Sequence, residues 1–241
     1  MLIALAPVLL AGCGTKEGKL SGVQPKDAEP PSAGNVAPVT FRYAPQDVIY
    51  HYVSTTTTNF SGSNPRTTEL QFAVKVSRSA DRYTAEATIE TSLTDDVPTT
   101  GVTESMLRAF KLTTVLDLHG AIVSSQGVGT EGFVGPGAKD LGTSFSFPST
   151  GLKPGQSWNQ DRGSYTVTFK FDGIEKSGNQ RVAKFEETAS DSQGGRVESP
   201  TIILVNPETG VLVDKLAETV IPTGSKPTDP LVPVHSELKL K

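Results

Sequence analysis

Several residue patterns in this chain could carry chemistry, and each can be tested against the spacing that chemistry needs. Gly127, Gly129 and Gly132 satisfy G-x-G-x-x-G after a strand read over Ala121–Ser125. A dinucleotide site needs a helix next, so that its N-terminus receives the pyrophosphate; Phe133, Val134, Gly135, Pro136 and Gly137 cannot propagate one. Gly155, Gln156 and Ser157 begin like a nucleophile elbow, but Asn159 stands where the last glycine belongs and no strand–turn–helix context surrounds it. Ser236 and Lys239 make S-x-x-K, a pairing that works one helical turn apart; on a strand the two side chains point to opposite faces. The same alternation separates Glu186 from Glu187 and defeats a shared acid/base role. His51, His119 and His235 are scattered singly, without a second ligand at zinc spacing. Asp95 and Asp96, beside Val97 and Pro98, read as a turn, since a calcium loop needs more acidic ligands at alternating positions. The expectation is therefore a non-enzymatic protein with no catalytic residue, no metal site and no cofactor. An enzyme would return to contention if His119 or His235 lay beside Ser or Asp in a cleft.

Composition narrows the class further. The chain has 241 residues, 36% of them hydrophobic, which is enough for one domain with a real core. Its net charge of −4, with no basic block, excludes nucleic acid, because phosphate binding needs clustered Lys and Arg. The single cysteine, Cys13, cannot form an internal disulfide, so the fold must stand on apolar burial alone.

The position of that cysteine is informative. Leu2–Leu10 is an apolar run too short to span a bilayer and long enough for the h-region of a secretory signal. It is followed by Leu10, Ala11, Gly12 and Cys13, which resembles the lipobox of bacterial lipoproteins. The resemblance covers 13 residues and implies cleavage before Cys13 and lipidation, palmitate included, of its thiol. Residues 1–12 are then a signal peptide, and the partner is a membrane reached through the lipid anchor. No Lys or Arg precedes the apolar run, although signals usually begin with positive charge; a start upstream of Met1 would supply it. With acyl chains contributing roughly 0.8 kcal/mol per buried CH₂, two or more chains anchor stably where one does not. Residues 13–38, rich in Gly, Pro, Ser and charge, read as a lipidated flexible linker. The resemblance places the protein in the cell envelope, exported and membrane-anchored, without deciding between inner and outer membrane.

Residues 39–241 read as a single β-rich domain. Leu70, Phe72, Val74 and Val76 alternate with polar neighbours, and Tyr83, Ala85, Ala87, Ile89 and Leu93 do the same after a turn at Arg78–Asp81, predicting an antiparallel pair with one dry face. Tyr165, Val167, Phe169 and Phe171 repeat the pattern. Ile202–Val205 and Val211–Leu216 flank Asn206–Gly210, a five-residue turn sequence, and predict a hairpin. Alternation from Val234 to Leu240 predicts a paired C-terminal strand, and the run Thr55–Thr58 suits a strand better than a sugar-contacting surface. The one helix expected begins at Thr103, with Met106, Leu107 and Phe110 on one face. Gly127–Gly142 reads as a long loop.

The fold class is mostly all-β: a curved antiparallel sheet or half-barrel of about ten strands with one short helix, with a closed barrel or sandwich as alternatives. Phe147, Pro148, Leu152, Pro154, Gly155 and Trp158, in FPSTGLKPGQSW, resemble an F-P-x-x-x-L-x-x-G-x-x-W element of uncharacterised bacterial lipoproteins. That resemblance implies a sheet similar to the lipoprotein-carrier half-barrel, whose concave face holds an acyl chain or another apolar ligand. The candidate apolar face comprises Phe72, Val74, Ile89, Tyr165, Val167, Phe169 and Phe171, with Met106, Leu107 and Phe110 as a plug or lid. Periodicity leaves open whether these residues fill a dry core or line a pocket. Two roles follow. One is a carrier of lipid or an apolar ligand; the other is an accessory subunit with a closed core that docks an envelope protein partner through its outer surface.

Overall fold

The structure, a computed structural model, describes residues 37–59, 64–128, 146–161, 165–191, 200–222 and 231–241. Cys13 and the linker up to residue 36 lie outside the described residues, as does most of the glycine-rich stretch after Val128. Pro38–Lys241 forms one compact unit.

Among the described residues twelve strands form one open, curved sheet. In chain order they are β1 (Ile49–Thr58), β2 (Arg66–Ser79), β3 (Arg82–Thr94), the two-residue β4 (Val97–Pro98), β5 (Lys111–Asp117), β6 (Ile122–Val128), β7 (Ser157–Asp161), β8 (Tyr165–Ser177), β9 (Gln180–Asp191), β10 (Thr201–Val205), β11 (Leu212–Pro222) and β12 (Leu231–Leu240). The spatial order is β6-β5-β3-β2-β1-β12-β11-β10-β9-β8-β7, with β4 on β3. The chain starts at the centre, meanders to one edge, crosses to the other edge and meanders back, and β1 pairs antiparallel with β12 where the halves meet. The hairpin β5–β6 lies at an edge and β10–β11 near the centre.

Period-two alternation fixes which face is dry. Phe72, Val74 and Val76 on β2 oppose Ile89, Ala87 and Ala85 on β3, and all six are buried. The register shifts between Gln71 and Phe72, and this β-bulge reverses the alternation of β3 beyond Ile89. Ser92 and Thr94 therefore turn inward, where both are buried, while Leu93 leaves the inner face on which simple alternation puts it. Ser92 and Thr94 are satisfied there by the Thr99 hydroxyl, at 2.9 and 3.0 Å.

The helix α1 (Glu104–Ala109) starts as its sequence requires: the Thr103 hydroxyl accepts from the Met106 amide at 3.3 Å, and Glu104 pairs with Arg108 one turn on. None of its own residues is buried. Phe110, just past its end, is 0% exposed and meets Phe72.

The closed end of the inner face is filled by segments with no regular structure. Residues 38–44 run across the end of the sheet as a strap. Val39 and Leu152 exchange two backbone hydrogen bonds at 2.8 Å, the Tyr43 amide donates to the Leu118 carbonyl at 3.1 Å, and the Ala44 amide donates to the Thr209 carbonyl at 2.7 Å. Phe41 enters the core against Phe147, Phe171 and Phe185, with ring centroids 5.1 to 5.4 Å apart. Tyr43 meets Tyr83 edge-on. Gly210 closes the β10–β11 turn at φ +66°, where a Cβ would run into the Arg42 carbonyl and come 2.8 Å from the Phe147 ring.

Candidate functional site

The inner face is largely aromatic and close-packed, and Phe41, Phe72, Phe110, Phe169, Phe171 and Phe185 are its largest fully buried side chains. Tyr52, also buried, donates its hydroxyl to the Leu212 carbonyl at 3.0 Å, and burial raises the pKa of both Tyr43 and Tyr52. Between Tyr43, Tyr50, Tyr52, Val74 and Leu212 a cavity of about 10 Å³ remains, room for at most one water. Where β11, β12 and β1 meet, the register puts Ala217 opposite Ser236 and Ser236 opposite Thr56, so small side chains stand there in place of aromatic ones.

Of the residues expected on the apolar face, Phe72, Val74, Ile89, Val167, Phe169, Phe171 and Phe110 are all at most 5% exposed and belong to one core cluster. Leu107 is partly buried against that cluster. Met106, expected beside it, is instead 40% exposed. A six-residue helix leaning on the sheet through one edge sends the neighbouring position to solvent. The side chain of Tyr165 lies outside those described. The sequence argument overlooked Phe41, Tyr43 and Tyr52, which belong to the same cluster, as do Phe185, which alternation puts on the same side as Ala183, and Phe147 of the F-P-x-x-x-L-x-x-G-x-x-W element. It also overlooked an ion pair on the inner face. Glu187 opposes Phe169 and Thr201, Lys215 opposes Ile203 and Leu238, and the two charges meet at 3.4 Å with side chains only 20% and 13% exposed. Alternation along β9 contained the signal, since Ala183, Phe185 and Glu187 share a face.

The outer face carries charge in cross-strand pairs. Lys170 bridges Asp172 at 2.8 Å and Glu186 at 3.0 Å, which raises its pKa, while Lys184 reaches Asp172 at 3.6 Å. Ile202, opposite Leu216, and Leu204, opposite Asp214, form a half-buried apolar strip beside these pairs. Asp214 has its pKa raised by burial and then by Glu237, against the lowering pull of Lys239 at 3.9 Å.

The motifs that suggested chemistry are not brought together. His51 pairs with Glu90 at 3.1 Å and His235 with Glu218 at 2.5 Å, both at exposed outer positions, and His119 sits in the β5–β6 turn. Among the described residues no group of three or more His, Cys, Asp and Glu could hold a metal ion. Ser236 and Lys239 fall on opposite faces of β12. Gly127 lies in β6, with Gly129 and Gly132 outside the described residues.

The F-P-x-x-x-L-x-x-G-x-x-W element has an architectural account. Phe147 and Leu152 are buried, and the Gly155 amide and Gln156 carbonyl bond Phe171 at 2.6 and 2.9 Å. Trp158 stacks on Phe169 while its indole N–H donates to the Ser146 carbonyl at 3.2 Å.

No family model matches the chain, and no curated protein matches it. Among solved structures it is similar to a DUF1329 family protein from Desulfovibrio piger, at 12% identity and a TM-score of 0.25, over 80% of this chain and 85% of that one. It is also similar to an outer membrane lipoprotein-sorting protein domain from Vibrio parahaemolyticus, at 11% identity and a TM-score of 0.22, over 79% and 83% of the two chains.

Proposed function

We propose that this chain is a non-enzymatic, lipid-anchored protein of the bacterial envelope that serves as an accessory subunit, docking a partner protein on the outer face of its sheet around a closed interior. The filling of the inner face carries this reading. Phe72, Phe110, Phe169 and Phe171 are 0% exposed, so a ligand would have to expel them rather than settle among them. The strip of Ile202, Leu204 and Leu216, flanked by Lys184, Glu186 and Asp214, has the apolar centre and polar rim of a docking surface. The envelope location and the anchor rest on the lipobox at Cys13.

A second reading, an apolar ligand or lipid held on the concave face, draws support from the small side chains of Thr56, Ala217 and Ser236 where β1, β12 and β11 meet. Native mass spectrometry of the purified protein separates the two. A clean apo mass fits the docking reading, and a co-purifying lipid overturns the closed interior. The anchor is tested separately, by incorporation of labelled palmitate that Cys13→Ser abolishes.

A further inference from the structure

We infer that β6 is a self-association edge, through which two copies of the chain join as an antiparallel β6–β6 pair and continue one sheet into the other. The inference rests neither on the docking role nor on the anchor, because every residue it uses lies in the described structure. β6 ends the strand order, and among the described residues its only backbone partner is β5. Alternate amides and carbonyls along it therefore point away from the sheet, free to accept another strand. Residues 122–127 are all exposed. The register shift between Val115 and Leu116 is confined to the start of the strand. Residues 124–128 pair with residues 111–115 without a break, which presents a regular edge about 17 Å long.

The chemistry of this edge identifies the occupant. Folded proteins guard open edges with charge, proline or a covering segment. The opposite edge is guarded in this way: β7 carries Asp161, and its Trp158 and Gln160 side chains donate to the Ser146 carbonyl at 3.2 and 3.0 Å, which ties a neighbouring segment to it. β6 has neither charge nor proline, being built of Ile, Val, Ser, Gln and Gly alone. A charged strand finds nothing there to pair with, whereas a second β6 meets no like charge in any register. The ground behind the edge is equally neutral. The charged residues of β5 and of the β3 stretch paired with it are Lys111, Asp117, Arg82 and Glu86; Lys111 bonds Glu86 at 2.8 Å, and Arg82 stands opposite Asp117. Two copies approaching edge to edge are therefore not held apart by charge. Pairing about a two-fold axis uses the same edge on both chains and leaves neither β6 open, so assembly stops at the dimer.

Sedimentation velocity of the full chain carrying Cys13→Ser, which removes both the lipid site and any intermolecular disulfide, tests this. One strand pair falls short of the roughly 1,200 Å² of a stable interface, so a reversible dimer with a Kd on the order of 10–100 μM is expected. Ser124→Lys with Gln126→Lys should raise that Kd about tenfold or more, as should Ser124→Glu with Gln126→Glu, since either pair sets like charges across the new ladder. Mixing the lysine and glutamate variants should restore the dimer. Asn159→Lys, on β7, should leave it unchanged, and urea midpoints verify that each variant is folded. Backbone amide exchange within β6 should slow as concentration rises. A chain that stays monomeric up to about 1 mM, leaving the edge to a foreign strand, overturns the inference. A dimer that the lysine pair leaves intact, or that Asn159→Lys weakens equally, overturns it as well.

Discussion

Replacing Phe41 with alanine tests whether the inner face is a core or a vacancy awaiting a ligand. The ring is 2% exposed and meets three others, Phe147 at 5.4 Å, Phe171 at 5.1 Å and Phe185 at 5.3 Å. Truncating a phenylalanine packed this way costs about 3–5 kcal/mol through lost transfer energy and the cavity left behind. Two features push toward the upper part of that range. The aromatic contacts contribute beyond their area, and the strap bearing Phe41 is held to the sheet by a few backbone hydrogen bonds rather than by a ladder. For a domain of this size each kcal/mol lowers Tm by about 2–4 °C, so a fall of roughly 6–20 °C is expected. Urea denaturation followed through Trp158 gives the free energy directly. This is the chain's single tryptophan and it stacks on Phe169 at 5.3 Å, within the same cluster. The midpoint should fall with an unchanged slope. A loss below about 0.5 kcal/mol, the range of ordinary surface substitutions, would refute the reasoning and return the inner face to the ligand reading.

Tyr52→Phe removes the donor to the buried Leu212 carbonyl and should cost about 1 kcal/mol in the same denaturation assay. Gly210→Ala combines positive φ with a collision against the Arg42 backbone, so a loss above about 2 kcal/mol is expected, whereas Gly178→Ala, at φ +58° with open space around it, should lose only about 1 kcal/mol. Asp214→Asn should stabilise the fold near neutral pH. The folded pKa of Asp214 is raised, so its contribution to stability is present below the ordinary carboxylate pKa of about 3.9 and is lost as pH rises through the folded value. The gain of the asparagine variant, measured by urea midpoints across pH, should therefore shrink to nothing in acid, and a gain independent of pH would contradict the burial argument.

Alternation made most of the sheet legible. Phe72, Val74, Val167, Phe169 and Phe171 carry a period-two signal long enough to exceed chance, and each lies on the inner face. The same rule misplaces Leu93, because one extra residue near Ile89 inverts every later position, and the bulge that inserts it has no composition of its own. Thr103 announced α1 through capping chemistry, yet the rule that grouped Met106 with Leu107 and Phe110 assumes a helix long enough to present a stripe, and six residues are not. Phe41 and Tyr43 were illegible for a different reason. They reach the core from irregular segments, where neighbours in sequence impose no period, and their burial is decided by hydrogen bonds to residues more than 70 positions away, such as those joining Val39 to Leu152 and Tyr43 to Leu118. These residues decide what kind of protein this is. The strands alone describe an open cup that could hold a ligand. The strap and the F-P segment put four aromatic rings, Phe41, Phe147, Phe171 and Phe185, in mutual contact at its closed end. On the docking role proposed above, an interior so filled leaves recognition to the outer strip of Ile202, Leu204 and Leu216.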